Sequence, residues 1–169
     1  MKSTGLKEII IWIGLLSIFF AFDYSAAQEK VFLDLKRVAD KPRAEIEKIL
    51  GVPSKLVDDV FGSSRGYTYP AERATYMNGA IEVTYLEGAA RYFKIWIQKL
   101  AEKYQDYSYP KDAWTLLADL GLPRNTAADL SNQTVTRWRN LPDLYEISVF
   151  ATAEGKIWYV HVLTSRIYE

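Results

Sequence analysis

Two helix stops written in nearly the same letters stand 70 residues apart: Ile49-Leu50-Gly51-Val52-Pro53 and Asp119-Leu120-Gly121-Leu122-Pro123. Glycine ends a helix by taking the left-handed conformation, and a proline just beyond it cannot continue the helix. The openings match as well. Asp40-Lys41-Pro42 and Ser108-Tyr109-Pro110, offset by 68, each put a capping side chain ahead of a proline suited to a first turn. Ile46, Ile49 and Leu50 form an apolar stripe in the first segment, and Trp114, Leu117 and Leu120 form one in the second. Such punctuation constrains the chain to two similar units.

The stretches beyond the two stops are also similar. A short second helical piece, Ser54 to Phe61 or Arg124 to Leu130, leads into three β-like runs. In the first half the runs are Ala74 to Met77, Ala80 to Leu86 and Arg91 to Gln98, with Asn78-Gly79 and Glu87-Gly88 as hairpin turns. In the second they are Thr134 to Arg139, Leu144 to Thr152 and Lys156 to Thr164, with Leu141-Pro142-Asp143 and Glu154-Gly155 as turns. The expected fold is α+β: two tandem helix-helix-β-β-β repeats forming one antiparallel sheet with helices packed on one face. The expected organisation is a targeting segment over 1–27, a lead-in over 28–39, a first repeat over 40–106 and a second over 107–169.

These elements, a helix with a Gly-x-Pro stop and a three-stranded meander, duplicated across Asp40 to Thr164, resemble the β-lactamase inhibitor protein fold. They also resemble the related small lipoprotein of the outer-membrane β-barrel assembly machine, which has one such unit. The resemblance implies a protein-binding role, either as an inhibitor or as an envelope assembly factor.

The N-terminus has the three zones of an export signal: a head with Lys2 and Lys7, an uncharged apolar run of 14 residues from Ile9 to Phe22, and a small-residue exit at Ser25-Ala26-Ala27. A membrane span needs ~20 apolar residues, so the run is short for a crossing. Cleavage after Ala27 would leave a mature chain from Gln28, secreted or periplasmic and with no stable membrane span; the other reading is an uncleaved signal anchor that tethers the domain. Removing the segment takes two charges of each sign and leaves 19 cations against 19 anions. That balance lacks the basic field that gathers nucleic acid. The chain has no cysteine, which rules out disulfides, thiol catalysis and Cys-ligated metal, and its one histidine leaves little for a His-based metal site.

A sheet covered by helices on one side leaves the other side to water or to a partner. Alternation sorts the residues. Phe93, Ile95 and Ile97 read as core against Tyr92, Lys94, Trp96 and Gln98; Trp158, Val160 and Val162 read as core against Ile157, Tyr159, His161 and Leu163. Thr136 and Trp138 oppose Arg137 and Arg139, and Ile147 and Val149 oppose Glu146 and Ser148. The candidate partner-binding face is therefore Tyr92, Lys94, Trp96, Arg137, Arg139, Glu146, Tyr159 and His161. Aromatic and Arg side chains with polar tips are those enriched at binding hot spots, and they are also the residues that cover a half-exposed sheet. The expected partner is another protein. A second reading is a small-molecule or lipid carrier, with an apolar cavity between helices and sheet lined by Trp96, Trp114, Trp138 and Trp158. No catalytic, metal or cofactor set is assigned: His161 has no Ser or Asp placed by a motif, and the pair Glu82 and Glu146 has no evident cleft. Two tyrosine motifs, Tyr67-Thr68-Tyr69-Pro70 and Tyr107-Ser108-Tyr109-Pro110, offer either exposed aromatic loops or edge packing.

Overall fold

The computed structural model describes residues 31–169, and the expected targeting segment lies outside them. The strands are β1 (Lys55–Gly62), β2 (Thr68–Tyr76), β3 (Ile81–Leu86), β4 (Ala89–Trp96), β5 (Leu130–Ser131), β6 (Val135–Leu141), β7 (Leu144–Ala151) and β8 (Ile157–Leu163). The helices are short: α1 (Leu35–Val38), α2 (Arg43–Leu50), α3 (Glu102–Gln105) and α4 (Ala113–Asp119). All the strands form one antiparallel sheet ordered β1-β2-β3-β4-β8-β7-β6-β5. Each half of the chain is thus a meander, and the halves join where Tyr92 of β4 faces Leu163 of β8 and Trp96 faces Tyr159.

This architecture overturns the expected helix-helix-β-β-β unit. The piece Ser54 to Phe61 is not a helix but strand β1, paired along its whole length with β2 from Lys55↔Thr75 to Gly62↔Thr68. Val57, Val60 and Phe61 suit an extended backbone, and Asp59 meets Arg73 across the ladder at 3.1 Å. Arg124 to Leu130 is not a helix either. There the Thr126 carbonyl accepts from the indoles of Trp114 (3.2 Å) and Trp138 (3.1 Å), which pins an irregular loop before β5. Asp40 does not cap α2. It has φ 60 and accepts hydrogen bonds from Arg91 and from Thr164 Oγ1, the latter at 2.6 Å.

The core lies between the helices and one face of the sheet. Ile46 of α2 and Leu116 and Leu117 of α4 pack over Phe93, Ile95, Trp138, Ile147, Val149, Val160 and Val162, all fully buried. The expected lead-in contributes to the same core through Leu33, Leu35 and Val38. Backbone N–H groups of Phe32 and Leu33 donate to the Asp119 carbonyl and that of Leu35 to the Leu120 carbonyl, so this segment docks on the second helix stop. Gly121 makes the approach feasible: its φ is +81, and a Cβ there would stand 2.9 Å from Asp34 Oδ1. Gly51 at the first stop has open space around it. Two stops with similar spelling therefore differ in what they support.

The four tryptophans expected to line one cavity are divided by the sheet. Trp114 and Trp138 meet edge to face at 5.6 Å on the helix side, whereas Trp96 and Trp158 meet at 5.9 Å on the opposite side. No helix among the described residues is long and apolar enough to cross a membrane.

Candidate functional site

The cross-strand register builds the open face in three rows. Arg139, Glu146, Leu163 and Tyr92 lie in the first, running β6-β7-β8-β4; Arg137, Ser148, His161 and Lys94 lie in the second; Val135, Phe150, Tyr159 and Trp96 lie in the third. All eight residues assigned from alternation share this face. Opposed positions along each strand turn into the core, as the burial of Phe93, Thr136, Trp138, Ile147, Val149, Val160 and Val162 shows.

One end of the face is ionic. Glu146 accepts from Arg139 Nε at 2.8 Å and from Ser148 Oγ at 2.9 Å, and its other contact is Arg137 Nε at 3.2 Å. Arg139 also reaches Glu169 at 3.1 Å, which accepts from the Tyr145 hydroxyl at 2.9 Å and pairs with Arg65 at 3.3 Å. The Tyr145 hydrogen bond and the neighbouring Arg139 and Arg65 hold the Glu169 carboxyl below its ordinary range. Beside this network, Tyr92, His161, Phe61 and the Gly62–Ser64 turn help line a solvent-open recess of about 220 Å³. The guanidinium groups are fixed by two carboxylates, Glu146 and Glu169, so the surface they offer is preorganised.

The other end is aromatic. Tyr159 stacks on Phe150 at 4.7 Å and meets Trp96 at 5.5 Å. The Lys94 ammonium sits 4.0 Å from the Trp96 ring centroid and 4.8 Å from that of Tyr159, an arrangement that joins cation and rings in one rigid patch. Trp96 Nε1 donates to Glu82 at 2.7 Å. Glu82 and Glu146 lie on β3 and β7, three strand spacings of ~4.8 Å apart, so the two carboxylates do not face each other across a cleft.

Trp158 departs from its expected place in the core. The register slips between Phe150↔Tyr159 and Ala151↔Ile157, so Trp158 is the extra residue of a β-bulge. Its side chain is 45% exposed and packs 4.8 Å from the Tyr159 ring, enlarging the aromatic end. Two further members of the face, Phe150 and Phe61, escape the sequence reading. Phe150 has the same phase as Glu146 and Ser148, which alternation can identify; Phe61 lies in the piece expected to be helical. The tyrosine motifs pack: Tyr69 OH donates to the Ile167 carbonyl, Tyr107 OH to Asp119 and Tyr109 OH to the Asn132 carbonyl, leaving Tyr67 exposed.

His161 stands at the centre of the face among Tyr92, Phe150 and Tyr159, at ring separations of 5.1, 5.1 and 4.8 Å. Its Nε2 is shielded from water and has no hydrogen-bond partner among the described residues. Burial, reinforced by the Lys94 ammonium, pushes its pKa down from 6.5 to about 4. The folded state then holds a neutral ring where the unfolded chain takes up a proton, so stability is lost as pH falls from about 6.5 towards 4. In urea titrations across that window, wild type should lose more stability than His161→Gln; parallel curves would show that His161 does not contribute. No family model, curated protein or solved structure matches this chain.

Proposed function

We propose that this chain is an exported, non-enzymatic protein-binding domain that uses the open sheet face to hold another protein, as an inhibitor or an envelope assembly factor does. The observation that carries this reading is the register itself. It gathers Tyr92, Lys94, Trp96, Arg137, Arg139, Glu146, Tyr159 and His161 on one surface, with ring-to-ring, cation–π and ionic contacts already formed. Anchors fixed before binding lose little side-chain freedom on association, and aromatic and Arg anchors dominate interface energetics. The division of the four tryptophans between two faces removes the support for a carrier cavity. The test is a photo-reactive phenylalanine analogue placed at Tyr159, and separately at the helix-side Lys48, in cells of the native host. Crosslinking to a discrete protein from Tyr159 and not from Lys48 is the expected result; equal yields from both, or none from Tyr159, would refute the reading.

A further inference from the structure

The two edges of the sheet are unlike. The β5 edge is two residues long, whereas β1 runs for eight and has no strand beyond it among the described residues. In an antiparallel ladder, alternate residues turn both backbone groups towards the neighbour and the others turn both away. The Ser63 N–H donates to the Tyr67 carbonyl at 2.8 Å, which extends the same register and sets the phase: odd residues of β1 bond to β2. The Val60↔Pro70 pair agrees, because Pro70 has no N–H to give across that ladder. Leu56, Asp58 and Val60 therefore point their N–H and C=O groups out of the sheet. The side chains there are open too, Leu56 at 43% and Val60 at 63% exposure.

Charge selects the occupant. Were two copies to pair antiparallel through these outward groups, with Leu56 opposite Val60, Asp58 of each would lie opposite Asp58 of the other, and directly opposed like charges are destabilising. Asp59 is answered by Arg73 within the chain, but Asp58 has no ion pair among the described residues. We infer that the β1 edge takes an extended peptide segment of another protein by strand addition, with a Lys or Arg opposite Asp58 and apolar side chains beside Leu56 and Val60. Main-chain bonds would supply the affinity and Asp58 the preference, which is how strand addition divides those roles.

The probe is a labelled heptapeptide of alternating Val and Thr with a central Lys, beside the same peptide with a central Glu, titrated against the full chain. The Lys peptide should bind about fivefold tighter, the order expected for an opposite rather than a like cross-strand charge. Asp58→Lys should reverse the order. Val60→Pro removes an outward N–H while sparing every bond to β2, so it should abolish binding with the far-UV spectrum unchanged. Equal affinity for both peptides, undiminished binding to Val60→Pro, or no binding of either peptide would overturn the inference, as would dimerisation of the wild-type chain that Val60→Pro abolishes.

Discussion

Replacing Trp138 with alanine is expected to lower the unfolding free energy by about 3–5 kcal/mol, the usual range for removing a fully buried large aromatic. Trp138 is fully buried on the helix side of β6, edge-on to Trp114 at 5.6 Å, and its Nε1 donates to the Thr126 carbonyl at 3.1 Å. The substitution therefore opens a cavity and also loosens the loop that connects α4 to β5. Trp138→Phe separates these effects. It keeps much of the ring packing and loses the indole hydrogen bond, so its cost should be smaller by about half. Urea unfolding followed by far-UV circular dichroism measures both. A loss of under ~1 kcal/mol for the alanine variant would mean that the helices do not close over β6.

The second large effect concerns binding rather than folding. Trp96 and Trp158 form the aromatic end of the open face, and both retain exposure to water. Their joint replacement by alanine should reduce affinity for a captured partner by about 1,000-fold, the product of two hot-spot truncations of about 2 kcal/mol each, the modest end of their range. It should cost little stability, since neither side chain belongs to the buried core. Loss of the Trp96 ring also frees Lys94 and leaves Glu82 without its indole donor at 2.7 Å. The consequence should be strongest for a partner that relies on a fixed cation.

Much of the face is legible in the sequence and less of the architecture. Strands such as Arg137-Trp138-Arg139 and Phe93-Lys94-Ile95 declare their two sides, because one side is buried and selects apolar residues at every second position. Strand β1 declares nothing of the kind. At the sheet edge both of its faces are partly wet, and each mixes apolar and acidic residues: Leu56, Asp58 and Val60 on one, Val57, Asp59 and Phe61 on the other. Without a polar-apolar alternation, a short run after a helix stop reads as more helix. Trp158 is displaced from its expected side by one bulged residue, which reverses every inference from strict alternation at that point. Helix α1 has only four residues, too few for a periodic signal, although Leu35 and Val38 are fully buried.

The most direct measurement is capture from a native extract by the full chain, with wild type beside the Trp96→Ala, Trp158→Ala double variant, both verified as folded. A discrete partner held by wild type and lost by the double variant is the expected result. The same proteins retained by both, or no partner retained by wild type, would contradict the assignment of the open sheet face as a binding surface.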